Sequence, residues 1–104
     1  MDNTLEITRA EADARVEGTV HPRVTREAME AKVVNVDYFL SGTSTIAVLV
    51  LKSGYRVTGV SGCADPRNFD AEVGKRYAYE DALKNMWPLE GYLLAEVLLA
   101  RSGG

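Results

Sequence analysis

The chain has 104 residues, 46% of them apolar and 26% charged, and its 12 Lys and Arg against 15 Asp and Glu give a net charge of −3. These values predict one small domain with a single core and exclude a disordered chain. One Cys and one His exclude an internal disulfide and the usual zinc sites, and the acidic balance disfavours binding to duplex nucleic acid.

The chain is predicted to begin with a polar arm over residues 1–20, followed by a single α+β domain over residues 21–104. The arm is rich in acidic residues and poor in large apolar ones, so we expect part of it to be mobile. A short helix is compatible with its composition, and Gly18 would end that helix. Pro22 then favours an extended connector.

A short helix and three strands are predicted next. Thr25 is a suitable N-cap, and the residues after it favour a helix of about two turns. The composition then becomes β-branched and aromatic, with a turn over residues 41–44 and a tight hairpin at Ser53 and Gly54. The predicted strands cover residues 33–40, 45–52 and 55–61. Short connections between them predict an antiparallel meander with one face in need of a cover.

The C-terminal third is predicted to supply that cover as two helices. Asn68 or Asp70 can cap a helix from Ala71 to Met86, and Pro88 is expected to end it and to begin a second helix, Leu89 to Ala100. The residues predicted to face the sheet are Val73, Tyr79, Leu83, Met86 and Trp87. The predicted fold class is therefore α+β: a three-stranded antiparallel meander packed against two C-terminal helices, with a short helix before the sheet.

Two groups of charged residues have both a structural and a functional interpretation. Arg76, Glu80 and Lys84 are spaced four apart, which predicts either an ordinary salt-bridge ladder or basic ligands for an anion. Residues 43–63 contain Lys52 and Arg56 and no acidic residue. This local positive charge predicts either a binding site for an anionic small ligand or exposed charges that protect the strand ends from aggregation.

The segment from Cys63 to Asp70 is the third candidate region. It places polar side chains between a strand end and a helix start, where they can cap the helix or contact a ligand. Asn68 can contact a base or ribose, and Tyr55 or Tyr77 can stack on a purine.

Catalysis is not expected. His21 has no carboxylate or nucleophile beside it, and neither a P-loop nor a dinucleotide-binding glycine motif is present. We therefore predict no catalytic residues, no metal and no cofactor. The longest apolar runs fall short of the ~20 residues of a membrane span, and the polar start of the chain does not resemble a signal peptide, so a cytoplasmic protein is expected.

Several motifs together resemble a known family. They are Tyr38–Phe39, Val48–Tyr55, Cys63–Gly74, Tyr79–Ala82 and Trp87–Leu94. Over residues 21–95 the chain resembles the small tailed-phage proteins of the gene-forty-nine/gene-sixty-six family, most of which are described as phage accessory proteins of unknown function. That family is similar to the Thoeris anti-defence sponge proteins, which bind cyclic ADP-ribose isomers made by bacterial TIR enzymes and, in some members, cyclic oligonucleotides.

The resemblance implies a non-enzymatic sponge that works in the infected host cell as a dimer or larger homo-oligomer. Such a protein needs cations for phosphate, an aromatic ring for a base and an amide for base or ribose edges. Residues of suitable chemistry are Arg23, Tyr55, Arg56, Asn68, Arg76 and Lys84. The expected partner is a small anionic nucleotide ligand, with no membrane and no duplex nucleic acid. The alternative is an accessory factor that docks on a host or phage protein, with an aliphatic C-terminal helix containing Leu94 as its contact surface.

Overall fold

The structure is a computed structural model that describes residues 7–103, so the first six residues of the predicted arm and residue 104 lie outside the described part. Its elements are α1 (Arg9–Glu17), α2 (Arg26–Glu30), β1 (Val33–Ser41), β2 (Ser44–Leu51), β3 (Arg56–Gly62), a 3₁₀ turn (Pro66–Asn68) and α3 (Ala71–Arg101). The three strands form one antiparallel sheet in the order β1-β2-β3. The predicted α+β class and meander are confirmed.

Threonine caps begin the two short helices. In α1, the Thr8 hydroxyl accepts from the Glu11 amide and the Glu11 carboxylate accepts from the Thr8 amide, while Gly18 follows the last turn. In α2, the predicted cap Thr25 accepts from the amide of Ala28. Each cap gives an otherwise unpartnered amide a hydrogen bond, which is why these short segments begin where they do.

Tight turns set the register of the sheet. Gly42 has φ +60° and Gly54 has φ +91°, in the left-handed region that side chains disfavour. With these turns in place, Phe39 lies beside Ile46 and Ile46 beside Val60. One face of the sheet is thereby directed towards α3, and no element within residues 7–103 covers the other face.

The core lies between the sheet and the helices. It is formed by Met29, Leu49, Leu51, Val57, Ala82, Leu83 and Met86. β3 and α3 approach so closely that a Cβ atom on Gly59 would lie 2.2 Å from the backbone nitrogen of Ala82 and 2.3 Å from the carbonyl oxygen of Ala78. Glycine in the strand and alanines in the helix therefore allow the two backbones to come into direct contact.

The predicted break at Pro88 is wrong. α3 is one continuous helix of 31 residues with Pro88 in its interior. Proline removes one helical hydrogen bond and costs ~3 kcal/mol there, but it does not forbid the helix where tertiary contacts hold both sides. Before Pro88, Leu83 and Met86 are buried in the core; after it, Glu90 forms a 2.5 Å ion pair with Lys32. Among residues 7–103, no helix has both the length and the apolar character of a membrane span.

The predicted sheet-facing side of α3 is only partly correct. Leu83 and Met86 are buried as expected, and Tyr79 packs against the edge of the core. Val73 and Trp87 are each more than two-fifths exposed, because the buried face is centred on the small residues in contact with Gly59. Alanine contributes little to a hydrophobic pattern, so the predicted sheet-facing side was centred on the larger apolar residues. The side that is buried in the structure is centred on the alanines instead.

α3 also covers the free edge of β3. The carboxylate of Asp81 accepts from the amide of Val60 at 2.9 Å, and the amide of Asn85 donates to the carbonyl of Thr58 at 2.9 Å. These side chains occupy backbone groups that would otherwise be open to another strand.

Candidate functional site

A cleft of about 350 Å³ lies where the end of β3, the 3₁₀ turn and the first turns of α3 meet. We call it the α3 cleft. The lining residues that matter for its chemistry are Ser61, Cys63, Asn68, Phe69, Gly74 and Tyr77. Its walls are mainly apolar, with a few polar groups between them, which is typical of small-molecule sites.

The loop that forms one wall is held by its own side chains. The carboxylate of Asp65 accepts from the amide of Arg67 at 2.9 Å and from its guanidinium at 2.7 Å. Pro66 occupies the first position of the 3₁₀ turn, and the thiol of Cys63 donates to the carbonyl of Asp65 at 3.2 Å. These local contacts fix the turn that carries Asn68 and the residue after it.

The start of α3 is already occupied by an acidic cap. The carboxylate of Asp70 accepts from the amides of Glu72 at 3.0 Å and Val73 at 3.4 Å. The predicted capping role of Asp70 is confirmed. Because its charge occupies the positive end of the helix dipole, a phosphate has no favourable position at this helix terminus.

A glycine lets α3 pack closely on the sheet below the cleft. A Cβ atom on Gly74 would lie 2.6 Å from Oγ1 of Thr45, which is buried in β2. The carbonyl of Gly74 accepts from the hydroxyl of Ser61 at 2.7 Å. The first turns of α3 therefore pack closely on β2 and are hydrogen-bonded to β3, so the floor of the cleft is closely packed.

The chemistry of the α3 cleft suits a planar, partly polar group. Phe69 and Tyr77 provide aromatic surfaces, and Tyr77 is 63% exposed. Asn68 provides both a hydrogen-bond donor and an acceptor. No Lys or Arg lines the cleft among the described residues. The arrangement favours contact with a base or a ribose rather than with a phosphate.

Two cations lie against tyrosine rings on the other flank of α3, facing β1. The ammonium of Lys75 is 5.7 Å from the centroid of the Tyr38 ring, and the guanidinium of Arg76 is 6.0 Å from that of Tyr79. These residues line a shallow depression of about 340 Å³. We call it the cation–tyrosine groove.

A network of charged groups beside this groove joins α2 to α3. The guanidinium of Arg26 donates to both carboxylate oxygens of Glu80, at 2.6 and 2.8 Å, and Arg76 donates to Glu80 at 3.1 Å. The predicted Arg76–Glu80 pair is therefore present, but the main partner of Glu80 is Arg26, which was not predicted. Lys84, the third member of the predicted ladder, forms no ion pair among residues 7–103.

The same network changes the ionisation of its members. The Tyr79 hydroxyl donates to Glu30 at 2.5 Å. Burial, and then this bond, raises the pKa of Tyr79 to about 12. The hydrogen bond from Tyr79 is the main cause that lowers the pKa of Glu30, and the bond from Arg26 is the main cause that lowers the pKa of Glu80. Both carboxylates are thus held in their charged form.

The structure does not bring the six predicted ligand residues together within one chain. Asn68 lies in the α3 cleft and Arg76 in the cation–tyrosine groove. Tyr55 and Arg56 lie at the β2–β3 turn, where Arg56 donates to the carbonyl of Gly54 at 3.2 Å. At roughly 3.3 Å per residue, β3 places this turn about 20 Å from the end of the sheet that carries the cleft.

The other two predicted ligand residues lie beside later turns of α3. Arg23, in the segment before α2, is half-buried against the C-terminal half of α3. Lys84 is exposed beside Trp87, on the side of α3 that faces α2. Neither residue lines the α3 cleft or the cation–tyrosine groove.

Three residues of these sites were not predicted as ligands. Phe69 lies in the segment from Cys63 to Asp70, which the sequence analysis had identified as a candidate ligand-binding region. Lys75 and Tyr38 had no such signal, because their contact joins α3 to β1, far apart in the chain. Among residues 7–103, no three His, Cys, Asp or Glu side chains lie close enough to hold a metal ion.

Comparison with known proteins gives one match. The profile of the Phage protein (N4 Gp49/phage Sf6 gene 66) family matches residues 24–98. This range includes α2, the whole sheet, the α3 cleft and most of α3. No curated protein and no solved structure shows significant similarity to the chain.

Proposed function

The chain belongs to the Phage protein (N4 Gp49/phage Sf6 gene 66) family, and we propose that it binds a nucleotide-derived immune signal and holds it without cleaving it. The proposed ligand is a cyclic ADP-ribose isomer or a cyclic oligonucleotide, and the proposed setting is the cytoplasm of the infected bacterial cell. In this role the protein is an anti-defence sponge rather than an enzyme. The proposal rests on the α3 cleft and on the resemblance to the Thoeris sponges.

The combination of aromatic rings and an amide in the α3 cleft is the observation that carries the proposal. A base placed between Phe69 and Tyr77 gains stacking on its flat faces, and Asn68 is available to its polar edge. Stacking on an aromatic side chain contributes about 1–3 kcal/mol per base. The closely packed floor beneath the cleft favours a site that needs little ordering on binding.

Phosphate contacts are assigned to the outer side of α3. Arg76 precedes Tyr77, so the two side chains leave the helix roughly 100° apart. The Arg76 side chain is well exposed; besides its contact with the Tyr79 ring, its one ion pair among residues 7–103 is with Glu80, through one nitrogen of the guanidinium. A ligand with its base in the cleft can therefore place a phosphate near Arg76. Lys75 adds a second cation on the same turn of the helix.

The chemistry of the cleft supports retention of the ligand rather than its conversion. The carboxylate of Asp70 is engaged by backbone amides, and the Ser61 hydroxyl donates to the carbonyl of Gly74. Both groups are therefore used to build the helix start. We assign catalysis to no residue of the cleft.

Calorimetric titration with cyclic ADP-ribose isomers and cyclic di- and trinucleotides tests this function. We expect at least one ligand to bind, and Tyr77→Ala to weaken that binding by about tenfold or more, since 1.4 kcal/mol of stacking corresponds to tenfold. Tyr92→Ala is the matched control, because Tyr92 is 69% exposed on the same helix but lies away from the cleft.

Two results would count against the proposal. The first is the absence of binding by every ligand of the panel. The second is an equal loss of binding in Tyr77→Ala and Tyr92→Ala, since only the first residue lines the cleft.

An accessory factor that docks on a host or phage protein is the second candidate function. The C-terminal half of α3 favours it, because this half exposes several large aliphatic side chains. They are Leu89, Leu93, Val97, Leu98 and Leu99. Loss of a defined protein partner in Leu94→Asp, with the partner kept in Arg56→Ala and Arg76→Ala, would favour docking over nucleotide binding.

A further inference from the structure

The face of the sheet that points away from α3 carries a continuous apolar patch. Side chains alternate between the two faces of a strand, and in β2 the residues directed at α3 include the buried Ala47 and Leu49. The opposite face therefore carries the intervening residues of β2 and their neighbours in register. We call it the open face and define it by Phe39, Ile46, Val48, Val50 and Val60.

The open face is incompletely covered within one chain. Phe39 is 56% exposed and Val60 is 54% exposed, although both are large apolar residues within strands. The three β2 residues of this face are half-buried, and Ile46 lies directly between Phe39 and Val60. No described element packs over this face, because α3 lies on the other side of the sheet.

Polar residues of opposite charge border the patch on its two sides. Asp37 lies on β1, and its carboxylate accepts from the side-chain amide of Asn35 at 2.8 Å. Arg56 lies on β3, in register with Val50. Neither Asp37 nor Arg56 forms an ion pair with another residue among 7–103. An acid on one edge and a base on the other is the arrangement of a self-complementary surface.

We propose that the open face binds a second copy of this chain, so that two sheets pack face to face about a two-fold axis parallel to the strands. This axis places β1 of one subunit over β3 of the other. Phe39 then packs on the partner subunit's Val60, a large residue on a smaller one, and Ile46 meets the partner subunit's Ile46. Asp37 lies within reach of the partner subunit's Arg56, and symmetry repeats each of these contacts.

The size of the face fits a weak dimer. Three strands at roughly 4.8 Å spacing and seven residues at roughly 3.3 Å cover a flat area of about 330 Å² per copy. Two copies then bury about 670 Å², which is below the roughly 1,000 Å² of a stable specific interface and is typical of a weak association. We therefore expect a dimer whose population depends on concentration, with an apolar centre and a polar rim.

Face-to-face pairing would limit the assembly to two copies. The edge of β3 is occupied by Asp81 and Asn85 of the same chain, which disfavours growth by strand addition at that edge. A two-fold contact between identical faces uses each face once and leaves none free. The inference does not depend on the nature of the ligand, since the open face lies opposite α3.

Sedimentation velocity over a range of protein concentrations tests the dimer. We expect Phe39→Glu to raise the dimer dissociation constant more than tenfold, because symmetry would bury two unpaired charges in the interface, each against an apolar side chain. Leu98→Glu is the matched control: it adds the same charge to an exposed apolar residue on α3, and the dimer should persist. Circular dichroism confirms that each variant is folded.

A charge exchange tests the orientation of the two sheets. Asp37→Arg and Arg56→Asp should each weaken the dimer, and the double variant should recover most of the loss, because it restores an opposite-charge pair across the two-fold axis. The proposal is overturned if the wild-type chain stays monomeric at millimolar concentration, which would leave the open face to a different occupant. It is equally overturned if Leu98→Glu dissociates the dimer while Phe39→Glu does not, or if the double variant is no better than the single ones.

Discussion

Gly59 shows how a single residue sets the position of the helix that carries the candidate site. Its missing side chain allows the backbone of β3 to touch the backbone of α3 at Ala78 and Ala82. A side chain at this position would push α3 away from the sheet and would open the floor of the α3 cleft. The site therefore depends on a strand residue that has no contact with it.

Gly59→Ala is expected to reduce the free energy of unfolding by about 3 kcal/mol or more, because the new Cβ would lie within 2.3 Å of backbone atoms that cannot move aside. Gly91→Ala should have the opposite effect, a gain of about 0.5–1 kcal/mol, since Gly91 lies in α3 with nothing near its missing side chain. Chemical denaturation measures both. Similar changes in the two variants would contradict the close contact.

Residue-scale features were predictable where their cause is local. Thr25 was predicted as a cap, and Asp70 was one of two candidates with Asn68, because a cap depends on the few residues that follow it. The buried alanines of α3 were missed, because small side chains leave the hydrophobic pattern almost unchanged while they decide how closely two backbones can approach.

At the scale of elements, α2 is attached to α3 by hydrogen-bonded charged groups as well as by the burial of Met29. Arg26 holds Glu80, and Tyr79 holds Glu30. These contacts join segments about fifty residues apart, so a helical spacing rule found only the Arg76–Glu80 pair. Tertiary contacts likewise decided that α3 continues through Pro88, which a local rule could not predict.

Tyr79→Phe is expected to change how the stability of the protein depends on pH. The pKa of Tyr79 rises from 10.0 to about 12 on folding, so the stability it contributes is present below pH 10 and is lost between pH 10 and 12. The pKa of Glu30 is lowered from 4.5, so its contribution is present above pH 4.5 and is lost in more acidic solution. The stability difference between wild type and variant should therefore be largest at neutral pH and should shrink at both ends.

Thermal unfolding across the pH range measures this difference. Tyr92→Phe is the control, since the Tyr92 hydroxyl is on an exposed side chain and donates no hydrogen bond to a described residue. Its pH profile should follow the wild type. A constant difference between wild type and Tyr79→Phe at all pH values would contradict the role of the Tyr79–Glu30 bond.

At the scale of the whole molecule, the described chain is more extended than a compact domain of its size. Its radius of gyration is 17.3 Å, compared with about 13 Å for a compact chain of 100 residues. α3 is about 46 Å long at 1.5 Å per residue, so its C-terminal half continues beyond the sheet. The apolar side chains on that half and on the open face are consistent with a chain that assembles, and the homo-oligomer stays a prediction.

The fold and the candidate site were not equally predictable at this scale. The strands and turns were predicted correctly because the alternation of apolar and polar residues and the glycines at turns are local signals. These signals were sufficient to predict the antiparallel meander. The ligand residues were predicted from side-chain chemistry alone, which does not show at which end of the sheet each residue lies. As a result Tyr55 and Arg56 were grouped with Asn68, which lies at the opposite end of the sheet.

Analysis of the ligand after binding tests the central claim most directly. The protein is incubated with the ligand that binds best in calorimetry, separated from the unbound fraction and unfolded by heat, and the released material is identified by chromatography and mass spectrometry. The sponge account predicts that the ligand is recovered chemically unchanged, in proportion to the protein, and that Tyr77→Ala retains much less of it than Tyr92→Ala. Recovery of a cleaved product, or of no ligand from the wild-type protein, would contradict the account.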